Sequence, residues 1–167
     1  DKSISHRALI LGSLAIGITT ISDLLESEDV FKTANGLKAL GVDIYKRENE
    51  WFVHGVGIGG FSEPDDIIDC GNSGTSVRLL MGLVSTSPIK ATFTGDESLR
   101  NRPMDRVVEP LSEFGAYFST NYDCKLPIHV IGSNEPIPIN HILKIPSAQV
   151  KSAILLAGLN VKGTTSI

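Results

Sequence analysis

Three stretches of this chain repeat one pattern, and that repetition limits the fold more than any other feature of the sequence. Each opens on hydroxyl or amide side chains, adds a basic residue, runs into an apolar helical segment and reaches a glycine. The first is Lys2-Ser3-Ile4-Ser5-His6-Arg7 leading to Gly12. The second is Asn72-Ser73-Gly74-Thr75-Ser76-Val77-Arg78 leading to Gly82. The third is Ser147-Ala148-Gln149-Val150-Lys151-Ser152 leading to Gly158. The glycines recur at roughly 70–76 residues, a period that marks a repeated supersecondary unit. After each helix comes a Thr-rich, β-branched stretch that reads as a strand: Gly17–Ile21, Lys90–Thr94 and Gly163–Ile167.

The first two units share a second helix. Val30–Gly41 and Met104–Gly115 are amphipathic and end in Leu-Gly or Phe-Gly, with glycine as the C-terminal cap. Strands follow at Val42–Tyr45 and Ala116–Phe118, with further ones expected at Trp51–Val53 and Ile128–Val130. Each unit is too long for a solenoid repeat and mixes helix with strand. The expectation is an α/β chain of 167 residues forming one domain, with two full units and the opening of a third.

Composition excludes several classes. Fifteen basic against nineteen acidic residues leave a net charge of −4, which argues against a nucleic-acid or membrane surface. No apolar run reaches the ~18–20 residues of a membrane span. Nothing at the start of the chain reads as a signal peptide. Cys70 and Cys124 lack CxxC spacing and read as free thiols in a reducing compartment, so the expected location is cytoplasmic. His6, His54, His129 and His141 show no metal-ligand spacing, and neither metal nor cofactor is expected. Gly55–Gly60 contains a literal GxGxxG, but Phe61-Ser62-Glu63-Pro64 follows where a dinucleotide fold needs a helix. A glycine-rich surface turn explains it.

The repeated openings sit at helix starts, where unpaired N–H groups carry roughly half a positive charge. One such segment alone reads equally well as ordinary capping by Ser, Thr or Asn. Three of them, with Lys2, Arg7, Arg78 and Lys151, suggest helix starts converging on one face to hold phosphate or carboxylate. Arg78 lies one turn after Thr75 and is placed to support that loop from behind. Arg106 reads as a helix-surface or salt-bridge residue, and Arg100 is left open. His6 stands beside the anion loop, either solvating it or serving the structure.

Asp1–Arg7, Gly71–Thr75, Arg102-Pro103-Met104 and Ser147–Ala153 resemble, in order along the whole chain, bacterial 5-enolpyruvylshikimate-3-phosphate synthases. The resemblance implies two inside-out α/β barrel domains, each of three βαβαββ-type units around a pseudo-threefold axis, helices inside and sheets outside. The active site lies in the cleft between them. It implies transfer of the enolpyruvyl group of phosphoenolpyruvate to the 5-hydroxyl of shikimate 3-phosphate, by addition and then elimination, without a metal. Lys2 matches a lysine that touches both substrates and is a candidate for proton transfer. Ser3, Arg7, Ser147, Ala148 and Gln149 match residues holding shikimate 3-phosphate. Gly74 and Arg102, with Lys2 and Gln149, match residues against phosphoenolpyruvate. Many relatives carry Ser at position 148, so here only a backbone N–H is offered. The family accepts glyphosate in place of phosphoenolpyruvate, and a glycine at 74 implies a glyphosate-sensitive site.

On this resemblance residues 1–167 are an incomplete first domain. The catalytic aspartate and glutamate would belong to a second, C-terminal domain, and the chain alone is expected to bind weakly without turnover. An enolpyruvyl transferase acting on a UDP-sugar is the nearest alternative, but it lacks the Lys-Ser-x-Ser-x-Arg opening and the Ser-Ala-Gln triplet in this form. A non-catalytic anion-binding module is the alternative from another class.

Overall fold

A computed structural model describes residues 1–167 throughout. Helix α1 (Lys2–Leu14) starts on Asp1, whose carboxylate accepts from the Ile4 N–H at 2.9 Å. Strand β1 (Ile16–Ser22), helix α2 (Glu28–Ala39), and strands β2 (Asp43–Arg47) and β3 (Glu50–Val56) complete the first unit. These strands form an antiparallel sheet in the order β1-β3-β2. Helix α2 ends where predicted: Gly41 adopts φ +91, a conformation that only glycine reaches without penalty.

The second unit runs β4 (Ile68–Asp69), α3 (Gly74–Ser85), β5 (Lys90–Thr94), the short α4 (Glu97–Arg100), α5 (Asp105–Glu113), β6 (Tyr117–Ser119) and β7 (Ile128–Ile131). Its sheet has the order β4-β5-β7-β6, with β4 parallel to β5. The third unit repeats that opening. Asn140 bridges Ser166 in parallel on either side of α6 (Ala148–Gly158). The stretch at Gly163–Ile167, expected as a strand, is thus a single bridge within this chain. The sequence reading missed β4 and α4, which are too short to carry a period.

The helices pack side by side and the sheets lie outside them. Helix α2 packs against both α1 and α3, and α5 against both α3 and α6. Leu9, Ile10, Leu37, Leu80, Met81, Phe93, Leu111 and Ile154 are fully buried in one core, each such side chain contributing about 1.5–3 kcal/mol by its removal from water. Gly82 sits where α3 crosses α6: a Cβ there would stand 2.5 Å from the Ala153 carbonyl oxygen. Close approach of the two backbones explains that glycine.

The same contact corrects the repeat alignment. Counted from the caps Asp1, Ser73 and Ser147, Gly12 and Gly158 are equivalent, and each faces a threonine of the following segment, Thr19 or Thr165. The second unit has Val84 at that place. Gly82 is a helix-crossing residue of its own. The GxGxxG segment is a turn after β3, with Gly57 and Gly59 at positive φ and no helix following it before α3. No helix is long and apolar enough to cross a membrane.

Candidate anion-binding site

All three helix starts are capped alike. Asp1, Ser73 and Ser147 accept from the N–H three residues on, in Ile4, Ser76 and Val150, at 2.9, 3.1 and 3.3 Å. In α3 the Gly74 N–H turns back to the Asn72 carbonyl at 3.1 Å, while helix starts in general leave first-turn N–H groups without intrahelical partners. The second helical residue is Ser3 in α1, Thr75 in α3 and Gln149 in α6. These three meet at one cavity, lined also by Arg7, Leu79, Ala148 and Ser152. The expected convergence of the openings is present: Arg7 and Gln149 share a cavity although 142 positions separate them.

A second, larger cavity of about 310 Å³ adjoins it through Gln149. Arg78, Arg102, Arg106 and Ser147 supply its polar lining. Helix α3 gives Arg78 to this cavity and Thr75 to the smaller one. Thr75 and Arg78 are the only α3 residues that are not buried. Arg78 donates from Nη1 to the Gly74 carbonyl at 3.0 Å and to Gln149 Oε1 at 2.8 Å. Gln149 Nε2 donates in turn to Thr75 Oγ1 at 2.9 Å. The support expected of Arg78 is therefore direct, and it extends to Gln149.

Arg102 is held from below. Its Nη2 donates to Asn72 Oδ1 at 2.8 Å, and Asn72 Nδ2 donates to Asp96 Oδ2 at 2.7 Å. The Leu99 N–H and then the Asn72 amide hold the Asp96 carboxyl below its usual range. Arg106 is exposed on α5, as the helix-surface reading has it, lines the same cavity and makes no salt bridge. Burial, with Arg102 and Arg106 nearby, lowers the Arg78 pKa, although a guanidinium stays charged throughout. Three like charges around a cavity whose lining holds no carboxylate make a site that an anion would relieve.

Other expected site residues are placed less directly. Lys2 lines neither cavity; its Nζ pairs with Asp29 Oδ2 at 2.9 Å, at the start of α2. Ser147 caps α6 and borders the larger cavity, while Ala148 borders the smaller one. Gly74 packs beneath the arginines: a Cβ there would lie 2.6 Å from Arg78 Nη1 and 3.4 Å from Arg102 Nη1. Lys151 and Arg100 line neither cavity. His6 does not solvate the loop; it is fully buried. No group of side chains is arranged to hold a metal ion.

Against known families, the whole of residues 1–167 matches the family described as EPSP synthase (3-phosphoshikimate 1-carboxyvinyltransferase). The chain belongs to the EPSP synthase family. It is 57% identical over 168 residues to the 3-phosphoshikimate 1-carboxyvinyltransferase of Roseobacter denitrificans and 56% identical to that of a Ruegeria species. In both cases all of this chain is covered but 37% of the relative. Among solved structures, EPSP synthase from Acinetobacter baumannii superposes with a TM-score of 0.94 at 41% identity, covering 99% of this chain and 38% of that one. The chain thus spans little more than a third of the length of the relatives it matches.

Proposed function

We propose that residues 1–167 supply one wall of an active site that joins phosphoenolpyruvate to shikimate 3-phosphate. The enolpyruvyl group passes to the 5-hydroxyl and inorganic phosphate leaves. The observation that carries this reading is the pair of adjoining anion cavities sharing Gln149. Ser3, Arg7, Ala148 and Gln149 hold shikimate 3-phosphate in the smaller one, with Ser147 beside them at the border of the larger. Arg102, Gly74 and Gln149 hold phosphoenolpyruvate in the larger. Two polyanions are kept side by side by arginines and helix starts, which lowers the barrier by orientation and charge stabilisation. Lys2 would leave Asp29 to reach the substrates when they bind. Two free cysteines suit the reducing cytoplasm.

Neither cavity is lined by a carboxylate, so the proton transfers of addition and elimination need residues from elsewhere. Under this reading they come from a second domain, and the segment alone binds without turnover.

The repeat also supports a reading of what completes the first domain. Helix α2 bridges α1 and α3, and α5 bridges α3 and α6. A third second-helix would bridge α6 and α1. The faces it would cover are apolar and open: Ile4 is 60% and Leu11 52% exposed on α1, Leu155 47% on α6 and Leu159 48% at its C-terminal cap. Their equivalents on α3, counted from the caps, are Ser76, Leu83, Met81 and Ser85, all buried. We assign the chain to an incomplete domain of three units on that basis.

The test is a graft in which residues 1–167 replace the matching segment of the Roseobacter denitrificans relative. Phosphate release that requires both shikimate 3-phosphate and phosphoenolpyruvate supports the reading. A folded graft that binds shikimate 3-phosphate without turnover would favour an anion-binding module instead.

A further inference from the structure

A buried chain of polar side chains crosses three helices behind the anion cavities. His6 Nδ1 lies 2.7 Å from Thr33 Oγ1, and Thr33 Oγ1 lies 2.7 Å from Ser76 Oγ. Ser76 Oγ donates to the Asp29 carbonyl at 3.0 Å and lies 2.7 Å from Ser73 Oγ, a second hydroxyl. His6, Thr33, Ser73 and Ser76 are all buried. One residue of the chain comes from α1, two from α2, and the others from the start of α3.

The proton positions follow from counting donors. Ser76 has one hydroxyl proton, and the Asp29 carbonyl, which can only accept, takes it. Only lone pairs remain to face Thr33, so Thr33 donates to Ser76. Thr33 has then spent its proton and must accept from His6. Neutral His6 therefore carries its proton on Nδ1, and Nε2 is left as a bare acceptor. Nε2 has no partner in its buried position. Protonating it would bury a charge and an unpaired N–H together, in keeping with the burial that lowers the His6 pKa.

The chain ends beside site residues at every terminus. His6 precedes Arg7, Ser73 precedes Gly74, and the Asp29 carboxylate pairs with Lys2. Apolar side chains of the same volumes would bury as well, but they would let neighbouring helices slide or turn. Directional bonds fix one register.

We propose that His6 and Thr33 are positioning residues, which set the start of α1 against the start of α3 and so set Ser3 and Arg7 against Gly74 and Thr75. The inference rests on the substrate reading of those cavities and concerns none of the residues that touch substrate.

The experiment uses the graft defined above. ¹⁵N spectra of the wild-type graft should show His6 protonated at Nδ1 and bare at Nε2. Thr33→Val should raise the KM for shikimate 3-phosphate about tenfold, a change of about 1.4 kcal/mol, with kcat held within about twofold. It should weaken the Kd for inorganic phosphate in the same direction. Thr33→Ser, which restores the hydroxyl, and His6→Asn, which keeps a donor near the place of Nδ1–H, should both return KM to within about twofold of wild type. An Nε2–H tautomer in the wild type would overturn the proposal. So would equal KM and Kd values for Thr33→Val and Thr33→Ser. A wild-type graft without turnover would instead remove the substrate reading, and the phosphate Kd series would then decide the positioning role by the same criterion.

Discussion

Arg78 and Gln149, 71 positions apart in sequence, are joined by a 2.8 Å hydrogen bond from Nη1 to Oε1. The same nitrogen holds the Gly74 carbonyl, so one guanidinium ties the Gly74 loop to the residue shared by both cavities. Arg78→Met removes both bonds while keeping the length of the side chain. Thermal unfolding of the graft should show a loss of about 1–3 kcal/mol, since two acceptors lose their donor. KM should rise for both substrates, because Gln149 borders both sites. A change confined to phosphoenolpyruvate would mean that Gln149 does not depend on Arg78.

Gly74→Ala should act through Arg78 first. The added methyl would stand 2.6 Å from Arg78 Nη1, so the guanidinium must move and the space above it narrows. Packed sites tolerate little added volume, and glyphosate is longer than phosphoenolpyruvate. The inhibition constant for glyphosate should rise by a larger factor than the KM for phosphoenolpyruvate. Equal proportional changes in the two would show that the steric argument is wrong.

Stability should fall on mild acidification through His6. Burial lowers its folded pKa; Asp29 opposes that shift, and Lys2 and Arg7 add to it. A depressed folded pKa gives stability that is complete above the unfolded value of 6.5 and is lost as pH drops from there toward the folded value. Carboxylates held below their usual range, such as Asp69 beside Lys32, act only in more acid solution. Denaturant unfolding of the graft between pH 7 and pH 5 should therefore lose stability in the wild type and lose less in His6→Asn. Parallel losses in the two would assign the effect to other groups.

The repeated helix starts were legible because the residues that line the cavities sit in contiguous strings. Seven of the eight expected site residues line the two cavities or pack directly beneath their arginines; Lys2 does not. Its partner Asp29, 27 positions away, resembles any acidic residue in a helix's first turn. His6 and Thr33 were not legible as partners, since polar residues spaced along amphipathic helices read as surface. Gly82 was assigned to the repeat because glycines look alike in a sequence, whatever requires them. In α2 and α5 the glycine stops fell where expected because a positive φ is a local demand. Helix crossings and buried hydroxyl chains are set by distant segments, and no local pattern records them.

The open faces of α1 and α6 give a prediction about context. If a further helix covers Leu155 in the full-length protein, Leu155→Ala in the graft should cost about 2–5 kcal/mol. An exposed position should change stability by no more than about 0.5 kcal/mol. Chemical denaturation of the graft separates the two. A negligible effect would remove the assignment of this face to a third unit.

The most direct test of the account is the affinity of the graft for shikimate 3-phosphate, measured by titration calorimetry on wild type, Arg7→Gln, Gln149→Ala and Lys151→Gln. Arg7 and Gln149 share the cavity at which the three helix starts meet; Lys151 carries the same kind of charge in the third opening but lines neither cavity. Loss of a charge-assisted bond should weaken binding by about 10–100-fold for Arg7→Gln and by a smaller but clear factor for Gln149→Ala. Lys151→Gln should stay within about twofold. Equal weakening by Lys151→Gln and Arg7→Gln would mean that general charge, and not convergence of the helix starts, holds the anion, and it would contradict the account.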